Sequence, residues 1–118
     1  MNRVFLMRDP LRRNAETGAW ERMIDLAPAR EYGELVFLLP PGRTPVATPG
    51  LVRVLRERLA GFSDDDYLLP IGDPLLIALA AALAADANDG RLRLLTWDKH
   101  ERRYLVSEAD VREPEVVT

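Results

Sequence analysis

The stretch Asp64-Asp65-Asp66-Tyr67-Leu68-Leu69-Pro70-Ile71-Gly72-Asp73-Pro74 constrains the fold more than any other part of the chain. A short apolar run leaves an acidic turn and stops at a glycine, where the backbone can reverse without steric penalty. Asp73 and Pro74 then spell a helix start. The carboxylate can accept an orphan N–H, and proline lacks only a donor that the first helical position leaves unpaired anyway. Thr48-Pro49 writes the same signal earlier in the chain. Strand, tight turn and helix follow one another as they do in α/β proteins.

The flanking segments extend this pattern. Leu35-Val36-Phe37-Leu38-Leu39 is continuously apolar between Glu34 and Pro40-Pro41-Gly42, which predicts a central strand covered on both faces. Leu51, Val52, Leu55, Leu59 and Phe62 recur at helical spacing, with Arg53, Arg56, Glu57 and Arg58 on the remaining face and Gly61 at the end. Tyr67 to Ile71 reads as the next strand. The helix from Pro74 to about Ala87 is apolar nearly all round, with Leu75, Leu79 and Leu83 on one line and Ala78, Ala81, Ala82 and Ala85 forming a small-residue surface. Arg91 to Trp97 alternates, placing Leu92, Leu94 and Thr96 on one side and Arg91, Arg93, Leu95 and Trp97 on the other. A charged turn, Asp98 to Arg102, leads to an antiparallel return over Arg103 to about Val106.

At the N-terminal end, residues 3–7 read as a strand that pairs with Trp20 to Leu26 across a long polar loop, and Ala29 to Tyr32 as a helical turn stopped by Gly33. The expected fold is a single α/β domain over residues 1–118 with a mixed sheet of about five or six strands and two main helices. Its parts are an N-terminal hairpin (1–26), a parallel βαβαβ core (35–97, opened by Glu34), a C-terminal hairpin (98–107) and an acidic tail (108–118).

Composition narrows the chemistry. A chain of 118 residues has room for one core. It contains no cysteine, which removes disulfides, thiolate nucleophiles and zinc–thiolate sites. The apolar run from Pro74 to Ala85 is shorter than the roughly 20 residues of a membrane span, and the run near Met1 is too short for a secretory signal, so the chain is expected to stay in the cytoplasm of the cell that makes it. A net charge of −3 gives no reason to expect nucleic acid or a membrane as partner.

Ligands of open α/β sheets gather beyond the carboxyl ends of the strands. There the loops would bring together Arg43, Thr44, Thr48, Asp73, Asp98, Lys99 and His100, beside two helix N-termini that favour an anion. Each also has a plainer role. Asp73 and Thr48 are natural N-caps, and His100 belongs to a solvated hairpin tip. No phosphate-cradling glycine motif occurs, no histidine spacing suits a metal, and neither Ser63 nor Ser107 sits in a nucleophile elbow. No catalytic residue, metal or cofactor is therefore expected. Two further surfaces could take a protein partner. Asp64, Asp65 and Asp66 could face a basic protein or simply form a solvated turn. Ala78, Ala81, Ala82 and Ala85 could pair with a second protomer or pack inside their own domain.

Tyr32 to Pro40, Asp65 to Pro74, and Leu94 to Asp98 with Tyr104 resemble small uncharacterised proteins encoded by bacteriophages and prophages. The resemblance implies a mobile-element origin, no known activity and no site residue to carry over. The expected function is a non-enzymatic protein-interaction module, inhibiting a host complex such as a defence system by occlusion. The alternative is a small nucleotide- or phosphate-binding α/β domain with its site at the carboxyl edge of the sheet.

Overall fold

Val4, Phe5, Leu6 and Met7 are apolar without a break, and each is at most 1% exposed. A strand with side chains on both faces out of water must lie inside a sheet, and here it does. The computed structural model describes residues 2–42 and 48–112, with Thr48 given by its backbone alone. The elements are β1 (Arg3–Leu6), β2 (Leu11–Arg13), β3 (Trp20–Arg22), α1 (Ala27–Arg30), β4 (Glu34–Phe37), α2 (Thr48–Leu59), β5 (Tyr67–Leu68), α3 (Pro74–Ala87), β6 (Arg91–Asp98) and β7 (Arg103–Asp110). Five strands form one sheet in the order β4-β1-β5-β6-β7, parallel except for the antiparallel β6–β7 pair.

The α/β class, the mixed five-stranded sheet and the two long helices match expectation. The hairpin of residues 1–26 does not form. β1 pairs on one side with β4 and on the other with β5, and the hairpin is instead the separate β2–β3 ribbon, Leu11–Arg13 against Trp20–Arg22. The cause is hydrophobicity: the Trp20–Arg22 strand is exposed throughout and could not cover Val4 to Met7. The strand expected at the centre, Glu34–Phe37, is correspondingly an edge, where Leu35, Val36 and Phe37 are only half-buried. The strands of the βαβαβ core run in one direction, but β1 stands between β4 and β5.

The strand ending near Val106 runs on to Asp110, so Glu108 to Asp110 belong to the sheet and not to a tail. Residues 113–118, Arg43 and Thr44 lie outside the described residues.

Alternation along the strands sorts side chains into two layers. Phe5, Met7, Leu68 and Leu92 meet Leu51, Leu55 and Leu59 of α2 and Leu76, Ala80 and Ala84 of α3. On the opposite face Val4, Leu6, Tyr67, Leu69, Leu95 and Tyr104 meet only Leu26, Ala29 and a few flanking residues around the four-residue α1. Asp73 caps α3 as expected, its Oδ1 accepting the Leu75 N–H at 2.9 Å. Among the described residues no helix is long and apolar enough to cross a membrane.

Candidate functional site

From β1 the chain turns one way to reach β4, and from β5 it continues the other way to β6. The carboxyl ends of β1 and β5 thus flank a topological switch point, where open α/β sheets form a crevice. A cleft of about 450 Å³ lies there, bordered by Met7, Trp20, Gly42, Gly72, Asp73 and Leu76 among others. Gly72 has φ +119, a backbone region that favours glycine, and this turns the chain from β5 into the Asp73 cap. The β2–β3 ribbon leans over the cleft with Trp20, 65% exposed. Its base is tied by Asp9, which accepts two hydrogen bonds from Arg22 at 2.8 and 2.7 Å. Those bonds hold the Asp9 carboxyl below its ordinary range, against an opposing effect of burial. The Arg8 guanidinium donates to the Gly42 carbonyl and so bridges the β1 and β4 loops.

A second cleft, about 660 Å³, opens on the sheet face opposite α2 and α3. The apolar lining includes Pro28, Leu69, Leu95 and Trp97, and Tyr104 stands edge-on to Trp97 with ring centroids 5.0 Å apart. Trp97 is 46% exposed. Asp25 and Arg102 put one acid and one base on the lining. Burial, and secondarily the negative charge of Asp25, push the Tyr104 hydroxyl above its ordinary pKa. Tyr32 packs its ring against Tyr67 and donates its hydroxyl to the Tyr104 carbonyl at 2.7 Å, tying the α1 side to β7.

The rim residues expected from sequence divide between places. Asp73 borders the switch-point cleft, whereas Asp98 ends β6, Lys99 and His100 begin the turn to β7, and none of these three lines it. Asp98 serves that turn, its carboxylate accepting the His100 N–H at 2.9 Å and the Glu101 N–H at 3.4 Å. The acidic triplet also divides. Asp66, 1% exposed, accepts two hydrogen bonds from the Arg3 guanidinium at 3.1 and 3.0 Å and one from the Ser63 N–H, so it is an internal anchor. Asp64 is exposed and pairs with Arg91 at 2.9 Å, which with Asn88 lowers its pKa, while Asp65 faces water. Of the four alanines, Ala85 is buried, Ala81 half-buried, and Ala78 and Ala82 exposed. Among the described residues no three acidic or histidine side chains stand close enough to hold a metal ion.

The aromatic cleft was not among the sequence expectations, although its signal was there. Alternation had placed Leu95 and Trp97 on one side of β6, and the return strand brings Tyr104 opposite Trp97.

A family model described as Phage Pam3 gp32-like protein matches residues 2–111 of the chain. No curated protein and no solved structure matches it.

Proposed function

Given that this chain belongs to the Phage Pam3 gp32-like protein family, we propose that it acts by binding another protein, occluding a host or phage component, rather than by catalysis. The observation that carries this reading is the 660 Å³ cleft with Trp97 half out of water on its wall. Binding energy at protein interfaces concentrates in a few aromatic or arginine anchors set in apolar pockets with a polar rim. Leu69, Leu95, Trp97 and Tyr104 supply such a pocket, and Asp25 and Arg102 supply opposite charges that fix the orientation of what enters. A host complex, such as one serving defence, is the kind of target that occlusion would disable. Capture from host lysate tests the reading at protein concentrations well above micromolar. The wild-type chain should retain a specific partner and Trp97→Ala should lose it at least about tenfold. Equal retention by both chains overturns the role of the cleft.

The strand order favours a second reading, a small nucleotide- or phosphate-bearing ligand in the switch-point cleft. Against it, the Asp73 carboxylate already takes the Leu75 N–H that an anion would use. Thermal-shift measurements with a panel of nucleotides and inorganic phosphate separate the two. A true ligand at 100 times its Kd stabilises by about 2.7 kcal/mol, and no shift with any of them removes this reading.

A further inference from the structure

β7 is the last strand of the sheet, and its outer edge has no partner strand among the described residues. It is long for an edge: Arg103 to Asp110 pair with Asp98 to Arg91 in eight consecutive register positions, with no bulge and no proline. Every residue of it except Tyr104 is exposed, including the apolar Leu105 and Val106 at 39% and 40%. Natural sheets blunt such edges with bulges, proline or shortness, because bare backbone donors and acceptors recruit another strand. The Tyr32 hydroxyl already takes the Tyr104 carbonyl at 2.7 Å, and along the rest of the strand the remaining device is charge, arranged unusually here. The basic pair Arg102 and Arg103 stands at one end of the strand and the acids Glu108 and Asp110 at the other, with an uncharged middle, Tyr104 to Ser107.

A strand with one basic and one acidic end is complementary to itself when turned end for end. We propose that two copies of this chain pair through β7, antiparallel, joining their sheets into one of ten strands. Directly opposed residues of neighbouring strands must share a face, so the two-fold axis is perpendicular to the sheet and the register sum is even. With Val106 on the axis, Leu105 lies opposite Ser107 of the second copy, Tyr104 opposite Glu108 and Arg103 opposite Ala109, and the turn residue Arg102, at φ +56, stands just past the paired strand toward Asp110. Its long side chain reaches from that turn toward Asp110 and Glu108 of the second copy. Arg103 keeps its own Glu101 at 2.6 Å, while Arg102 has no ion pair among the described residues within its own chain. No charged residue of β7 meets a like charge in this register. The same axis leaves both aromatic clefts on one face of the joined sheet, so the pair presents two anchors to a partner in the same plane.

The absence of cysteine makes the register directly testable. Residues opposed at a strand-pair axis have Cα atoms about 4.5–5.5 Å apart, inside the range a disulfide spans. Val106→Cys should therefore form a covalent dimer under mild oxidation. Val111→Cys, more exposed at 66%, and Ala82→Cys on α3 should not. In parallel, sedimentation of the unmodified chain should show a species of twice 13.3 kDa at high micromolar concentration. Arg102→Asp and Asp110→Arg should each weaken that dimer at least about fivefold, and the double variant, which restores opposite charges across the axis, should recover it. A monomer at all concentrations overturns the proposal, as does cross-linking through Ala82→Cys in preference to Val106→Cys, or a double variant no better than the singles. Loss of the dimer in Asp110→Arg, a residue that does not line the cleft, with retained partner capture would leave the cleft reading intact, and absence of capture by the unmodified chain with an intact dimer would remove only the cleft reading.

Discussion

On one face of the sheet α2 and α3 lie side by side over Phe5, Met7, Leu68 and Leu92, while on the other the four-residue α1 and its neighbours cover Val4, Leu6, Tyr67 and Leu95. The difference shows in what each face leaves over. The helical face is closed by Arg3, which reaches past the end of α2 to the Gly61 carbonyl at 2.9 Å and to Asp66, its guanidinium 4.9 Å from the Phe5 ring. The opposite face keeps a wide cleft and a half-exposed tryptophan. Thick cover makes stability, and thin cover leaves apolar surface for contact.

The largest test of this contrast is a matched pair of truncations. Leu55 and Leu95 are both fully buried, one beneath each layer. Leu55→Ala should cost about 4 kcal/mol in urea denaturation, because the packed helices cannot collapse into the hole, and Leu95→Ala about 2, because the thin face can relax or admit water. Equal costs would break the contrast. Next, Asp66→Asn should cost about 2 kcal/mol, since it weakens charged hydrogen bonds from Arg3 and the Ser63 N–H at a buried position. An unchanged midpoint would show that the helical face does not depend on that closure. Trp97→Ala, by contrast, should change stability by less than about 1 kcal/mol while abolishing partner capture.

The smallest expected effect is a pH dependence at the β2–β3 ribbon. The Asp9 carboxyl has its pKa lowered by Arg22 in the folded chain. Its contribution is therefore present above the unfolded value near 3.9 and lost as pH falls below that value through the depressed folded one. At a partly exposed pair the amount is about 1 kcal/mol or less. Asp9→Asn should flatten the acid limb of the stability curve by that amount and leave the two main faces as they were.

The helical layer was largely legible in the sequence because its signals are local. Asp73-Pro74 starts α3, the spacing of Leu51, Leu55 and Leu59 marks α2, and both helices stand where these residues place them. The order of strands was not legible. Val4 to Met7 and Leu35 to Leu39 are both unbroken apolar runs, and which of them takes the centre depends on pairings made across the whole chain. The same holds for the candidate site. Loops could be assigned to one rim, but whether Asp73 and Asp98 share a cleft depends on β6 and β7 carrying their turn beyond it, a matter of strand length. The triplet Asp64-Asp65-Asp66 looked uniform in sequence, and burial alone separates Asp66, which holds Arg3, from its two neighbours in water.

The central position of β1 sets a timetable for synthesis. Phe5 takes its register opposite Leu68, a residue that emerges roughly 3–13 s later at ribosomal rates of about 5–20 residues per second. Through that interval the Val4 to Met7 segment lacks its second neighbour and leaves an apolar run uncovered. A bulky fusion placed immediately before Asn2 should therefore lower the yield of native protein far more than the same fusion placed after Arg112.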